Sequence, residues 1–220
     1  MGKEFEAKFL DIDYKKICKK LKELGAKRVH KRKMFRRKVY LLCNSKIKGY
    51  TRVRDEGGPV TMTSKLYIDP KFPEENEVDL KNSFDEGCKF IESLGLQQTA
   101  YQQTYREKWS HKLAHEITFD NIPGIPMYME VDCTSEENLN KLINMLELDK
   151  SKMRFGAFDA TYEEYYGVSK DTINNKTPSI TFKNIMKEIK PTKNKDLLKQ
   201  VYKSYKFNKN NVDVDKFLEL

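Results

Sequence analysis

Histidine is scarce in this 220-residue chain, with only His30, His111 and His115, and the four cysteines Cys18, Cys43, Cys88 and Cys133 stand far apart without a CxxC pair. Zinc-site spacing is therefore absent, and a disulfide framework does not suit a chain of this length, so a reducing, intracellular (cytoplasmic) setting is expected. His111 and His115 are four residues apart, a spacing that matters only on a helix. Their segment reads as strand and turn, which makes them surface or structural groups. The N-terminal MGKEFEAKFL lacks an apolar leader region, and no apolar run approaches the roughly 18 residues that a membrane-spanning helix needs. Neither internal repeats nor long low-complexity tracts are seen. What is abundant is charge. Charged residues make up 34% of the chain against 38% hydrophobic, and the net charge is +9, which favours anionic partners. So much charge must either cover the surface or line an internal wet cavity.

The order of apolar periods predicts an antiparallel sheet decorated by helices. Glu4 to Leu10 alternates as a strand. Asp11-Ile12-Asp13 then supplies capping carboxylates for a helix with Ile17, Leu21 and Leu24 on its apolar face, ended by Gly25. Arg28 to Cys43 is a long basic strand, with Phe35, Val39 and Leu41 on one face and Met34, Arg36, Lys38 and Tyr40 on the other. Gly49 to Asp55 and Val60 to Ile68 form a hairpin around Glu56-Gly57-Gly58-Pro59. Further strands are expected at Asn76 to Lys81, Thr99 to Lys112, Ala114 to Asp120 and Met127 to Cys133. Helices are expected at Ser83 to Leu94, with Phe84, Cys88, Ile91 and Leu94 in its stripe, and at Ser135 to Leu148. About eight strands interrupted by helices suit a mainly β (α+β) fold, an antiparallel barrel, better than a doubly wound parallel sheet.

Alternation puts residues two apart on the same face of a strand. Glu4, Glu6 and Lys8 are thereby aligned, as are Arg52 with Arg54, Thr61 and Thr63 with Lys65, Glu77 with Asp79, Arg106 with Lys108, Glu116 with Asp120, and Glu130 with Asp132. One polar stripe usually faces water, but seven in one sheet can converge on a lumen if the sheet closes with its apolar faces outward. Carboxylates and cations crowded there require compensation, and a divalent metal bridging to a polyphosphate chain compensates both signs. Carboxylate oxygens without His or Cys suit Mg2+ or Mn2+. Glu4, Glu6, Glu130 and Asp132 are the candidate metal ligands; Lys8, Arg52, Arg54, Lys65, Arg106 and Lys108 are the candidate triphosphate grips.

At these residues the sequence resembles the CYTH superfamily, which contains class IV adenylyl cyclases, thiamine triphosphatases and inorganic tripolyphosphatases. The E-x-E-x-K element stands as Glu4-Phe5-Glu6-Ala7-Lys8, R-x-R as Arg52-Val53-Arg54, the strand lysine as Lys65, and the late acidic pair lies in Tyr128-Met129-Glu130-Val131-Asp132. The resemblance covers roughly residues 1–166. It implies a closed eight-stranded antiparallel tunnel, metal held by the acidic pairs, and triphosphate held by the cations. It also places Arg106 where similar proteins carry a phosphate-binding arginine, and Asp120 where they carry a functional aspartate, so Glu4, Glu6, Lys8 and Asp120 are the expected catalytic group. The late pair departs from the family's usual Glu-x-Glu, since Asp132 is one methylene shorter.

The expected activity is metal-dependent hydrolysis of inorganic tripolyphosphate or of an organic triphosphate such as thiamine triphosphate or a nucleotide. A class IV-type cyclase making cyclic AMP from ATP is the alternative within the resemblance. The basic run Lys27, Arg28, Lys31, Arg32, Lys33, Arg36, Arg37 and Lys38 adds another alternative, an RNA 5′-triphosphatase or a non-catalytic polyphosphate- or RNA-binding module. Trp109 is expected to pack under a helix, and Tyr162, Tyr165 and Tyr166 to form a packed terminal helix. The expected division is a tunnel domain over residues 1–184 and a basic, helical tail over 185–220.

Overall fold

The computed structural model describes residues 5–42, 48–66, 74–155, 158–207 and 212–213, so Glu4, Cys43 and the expected strand end at 67–68 lie outside the described residues. The chain opens with β1 (Phe5–Phe9) and α1 (Tyr14–Glu23), whose first turn is capped by the Asp13 carboxylate accepting from Lys16 N at 2.9 Å. The strands β2 (Lys27–Leu41), β3 (Gly49–Asp55), β4 (Val60–Leu66) and β5 (Glu74–Leu80) follow as an antiparallel meander. Ser83 and Glu86 form a capping box that starts α2 (Phe84–Ser93). Then come β6 (Gln98–His111), β7 (Ala114–Asn121), β8 (Tyr128–Cys133) and α3 (Glu136–Met145). The remainder is β9 (Met153–Arg154), α4 (Phe158–Tyr166), α5 (Lys170–Asn175), β10 (Ser179–Ile180), α6 (Ile185–Glu188) and α7 (Lys195–Ser204), with a small separate hairpin of β11 (Lys206–Phe207) and β12 (Val212–Asp213).

Nine strands pair in the order β5-β4-β3-β2-β6-β7-β8-β1-β9, and β10 lies parallel to β6 as a tenth. This corrects the expectation of a closed eight-stranded barrel: among the described residues no backbone pairing joins β5 to β9, so the sheet is open. It is nevertheless strongly curled. The pairing of β2 with β6 shifts register three times along its length, and such irregularities bend and twist a strand. Arg106 on β6 reaches Glu130 on β8 at 2.9 Å although β7 lies between them, and the field of Arg54 on β3 acts on Glu116 on β7.

The convex face is apolar because helices cover it. Ala7, Phe9, Trp109, Ile117, Phe119, Met129 and Val131 pack against Ile17 and Leu21 of α1 and Leu139, Leu142 and Ile143 of α3. Tyr40 and Val53 pack against Phe84, Cys88 and Ile91 of α2. Leu94, expected in the α2 stripe, is 58% exposed, since the helix ends at Ser93 before another turn can bring it inward. Gly87 is where α2 comes closest: a Cβ there would stand 2.8 Å from Leu80 Cδ1 and 3.1 Å from Val53 Cγ1.

A third cluster closes one end. Tyr105, Ile122, Ile125 and Tyr128 from the sheet and its β7–β8 turn are buried with Tyr162, Tyr166, Phe182, Ile185, Leu198, Val201 and Tyr205. Three tyrosine hydroxyls hold that turn. Tyr162 donates to Pro123 O at 2.6 Å, Tyr166 donates to Gly124 O, and Tyr205 Oη accepts from Gly124 N at 2.6 Å. No helix among the described residues is long and apolar enough to cross a membrane. Cys18, Cys88 and Cys133 are free thiols.

Candidate functional site

Residues directly opposite one another in antiparallel strands share a face, so the registers assemble the concave wall. Glu6 faces Asp132, Lys8 faces Glu130, Thr118 faces Glu130 and Lys108, Asp120 faces Arg106, Arg37 faces Arg54 and Gln102, and Arg52 faces Thr63, which faces Glu77. The seven polar stripes do converge on one trough, whose two regions differ in sign.

The acidic region centres on Lys8 and Arg106. Lys8 Nζ lies 2.7 Å from Glu6 and 2.9 Å from Glu130, and its side chain is 6% exposed. Burial pulls the Lys8 ammonium down, but Glu130 and Glu6 outweigh it and hold it above its ordinary value. Burial, joined by Glu130, raises the Glu6 carboxyl against the pull of Lys8. Arg106 forks onto Asp120 with Nε–Oδ1 at 2.8 Å and Nη2–Oδ2 at 2.5 Å, and also reaches Glu130 at 2.9 Å and Glu116 at 3.4 Å. Three carboxylates thus share one guanidinium, and the Arg106 charge is held far above its ordinary range despite burial. Burial pushes Asp120 up to about 6, with Glu130 and Glu116 adding to it against Arg106. Lys108 is paired with Glu116 at 2.5 Å.

The cationic region has fewer acids. Arg52 donates to Thr63 Oγ1 at 3.2 Å and lies 3.6 Å from Glu77; Arg54 lies 2.7 Å from Glu56 and 3.7 Å from Glu77. Burial, though it opposes the shift, leaves Glu77 below its usual range because Thr63, Arg54 and Arg52 all favour the carboxylate. Burial and the neighbouring Arg52 lower the Arg54 guanidinium. Arg54 Nε is a buried donor with no acceptor among the described residues, and the same holds for the hydroxyls of Thr61 and Thr118 on this face. Lys65, half-buried, lies opposite Tyr50 and Glu75 along the same wall.

Of the expected site residues, Glu6, Lys8, Arg52, Arg54, Lys65, Arg106, Lys108, Asp120, Glu130 and Asp132 all stand on the trough wall, while Glu4 lies outside the described residues. Among the described residues no three His, Cys, Asp or Glu side chains are grouped closely enough to hold an ion as they stand. Lys8 supplies the positive charge between Glu6 and Glu130 in this arrangement. The donor chemistry of Glu6, Glu130 and Asp132, carboxylate oxygen only, is that of a hard divalent cation. Arg37, expected on an exterior basic surface, instead points into the trough, bonded through Nε to Gln102 Oε1 at 2.6 Å. In the sequence, residue 37 lies between Phe35 and Val39 on the face assigned to them, and those apolar neighbours mask it. Glu77, noted only as a stripe, is the acid that serves Arg52 and Arg54.

The structure is similar to that of a candidate adenylate cyclase from Vibrio parahaemolyticus, with a TM-score of 0.58 and 13% identity over 73% of this chain and 98% of that one. It is also similar to the PH1819 protein of Pyrococcus horikoshii OT3, with a TM-score of 0.52 and 21% identity over 74% and 99% of the two chains. The PH1012 protein of the same organism gives a TM-score of 0.53 and 16% identity over 71% and 97%. The chain shares the fold of these three structures. No family model matches the sequence, and no curated protein matches it either. The likeness is one of fold, since identities this low leave little sequence in common.

Proposed function

We propose that this chain hydrolyses a triphosphate, inorganic tripolyphosphate or an organic triphosphate, with a divalent cation, Mg2+ or Mn2+, at the acidic region of the trough. The observation that carries the reading is the division of one wall into a carboxylate-rich region around Glu6, Glu130 and Asp120 and a guanidinium-rich region around Arg52 and Arg54, where Arg54 Nε is a buried donor with no acceptor among the described residues. Arg52, Arg54, Lys65, Arg106 and Lys108 grip the phosphate chain, and Arg106 is oriented for this by its fork on Asp120, which makes Asp120 a positioning residue. Glu4, Glu6, Glu130 and Asp132 would hold the cation, which supplies polarisation of phosphoryl oxygens and a lower pKa for water when bound. Lys8, buried between Glu6 and Glu130, keeps those acids aligned and presents a fixed positive charge toward the transferring phosphoryl group. Water attacks the terminal phosphorus and no covalent nucleophile is required.

A second reading is favoured by the likeness to the Vibrio protein: the same wall would serve attack of a ribose 3′-hydroxyl on the α-phosphorus of ATP, with pyrophosphate leaving. One panel separates the two. Tripolyphosphate, thiamine triphosphate, ATP and a 5′-triphosphorylated RNA are supplied with Mg2+ and then Mn2+, and orthophosphate, pyrophosphate and cyclic AMP are followed together. Orthophosphate release supports hydrolysis, cyclic AMP with pyrophosphate replaces it by the cyclase, and neither product from any substrate overturns both. Glu6→Gln and Arg54→Ala are each expected to cut turnover by about 100-fold or more while leaving the melting transition in place.

A further inference from the structure

Arg37 is the charge that the reading above does not use. It is half-buried on β2, opposite Arg54 on one side and Gln102 on the other. Its guanidinium is fixed twice, by the Nε bond to Gln102 Oε1 at 2.6 Å and by the face of Phe158, whose ring centre lies 5.2 Å away at the start of α4. Both contacts are with neutral groups. Arg37 has no ion pair among the described residues, and its two terminal nitrogens donate to no protein acceptor there. Arg37 lines a cavity of about 70 Å³ together with Arg36, Arg54, Gln102, Thr104 and Arg106, enough for one tetrahedral oxyanion or a few waters. Burial, with Arg52 and Arg54 adding to it, lowers the guanidinium to about 10.

An arginine with these surroundings is costly to the folded protein. It is desolvated, repelled by two neighbouring arginines and paired with no carboxylate among the described residues, yet both of its fixing contacts hold the fork in one direction. Arg106, by contrast, has three carboxylates around its guanidinium. We propose that Arg37 and Arg54 form a single-phosphate subsite, which takes the phosphoryl group lying beyond Arg106, on the side away from Glu6 and Lys8. Arg106 borders both the acidic cluster and the cavity, so a phosphate chain seated on Arg106 runs directly into the fork of Arg37. The subsite reads chain length: three phosphoryl groups fill it and two fall short.

The proposal rests on the triphosphate reading, and its test is chosen so that the two fail separately. Binding of inorganic tripolyphosphate and pyrophosphate to the metal-free full chain is measured by calorimetry for the wild type, Arg37→Gln and Arg37→Lys. Each variant's fold is checked by circular dichroism. Loss of a charged hydrogen-bonding fork is expected to weaken tripolyphosphate about 10- to 100-fold in Arg37→Gln, with pyrophosphate weakened less. Arg37→Lys keeps the charge without the fork and is expected to fall between; it carries the test if Arg37→Gln does not fold. A loss for tripolyphosphate below about fivefold, or equal losses for the two anions, overturns the subsite. A wild type that binds tripolyphosphate through Arg37 yet turns over no triphosphate removes the hydrolase and leaves the subsite standing. Turnover with an unchanged KM in Arg37→Gln does the opposite.

Discussion

Asp120 is one of several carboxyl groups in the site whose pKa is displaced. Its folded-state pKa, about 6, lies above the ordinary carboxylate value, so the folded protein favours the protonated acid. The sign follows from linkage: this group's contribution is fully present below its unfolded pKa near 4 and is lost as pH rises through about 6. Glu77 and Glu116, held below their ordinary value, act oppositely and lose their contribution as pH falls. Subtracting the melting temperature of Asp120→Asn from that of the wild type isolates the first effect. The difference is expected to shift against the wild type between pH 4 and about 6, and a difference flat across that window would show that Asp120 titrates normally. This environment was not legible in the sequence. Same-face Glu116 and Asp120 could be read from alternation, but three carboxylates sharing Arg106 depends on β6 and β8 approaching each other across β7. Arg37 failed for another reason: apolar neighbours at 35 and 39 define an apolar stripe, and only the curl of the sheet shows which stripe faces inward.

Among the elements, the β7–β8 turn links the site to the C-terminal helices. Gly124 has φ +80°, and a Cβ there would stand 2.8 Å from Leu198 Cδ1 and 2.9 Å from Ile185 Cγ1. Gly124→Ala is therefore expected to cost about 2–4 kcal/mol through left-handed strain and overpacking together, measurable by urea unfolding. A change below about 0.5 kcal/mol would show that the turn relaxes freely. Because Asp120 lies just before this turn and Tyr128 just after it, the same variant is expected to weaken tripolyphosphate binding. Strands β1, β3, β6, β7 and β8 and helices α1, α2 and α3 were legible because each has a clean period and a recognisable stop, such as Gly25 after α1 or the Ser83 box before α2. The two-residue strands β9 and β10 were not, since two residues carry no period; their place comes from pairing with β1 and β6.

At the scale of the molecule, the helices after residue 184 share a core with the sheet. Leu198, Val201 and Tyr205 are at most 6% exposed in the cluster that holds Tyr105 and Tyr128. Burying three such side chains contributes roughly 5–9 kcal/mol, comparable with the whole stability of an ordinary domain. A chain ending at residue 184 is expected to lose cooperative melting, and a sharp transition near the wild-type temperature would show that the sheet stands alone. The open sheet has a further consequence at its β5 border. No strand among the described residues pairs with β5 on its far side, and Glu74, Glu77 and Asp79 are exposed along it. A second copy adding its own β5 there would bring like charges into register, which opposes growth of the sheet from molecule to molecule. Neutralising that border, with Glu74 and Asp79 both replaced by Thr, is expected to make the protein form thioflavin-positive aggregates on standing, and unchanged behaviour would show that these charges do not guard the border; a barrel would have no such border to guard.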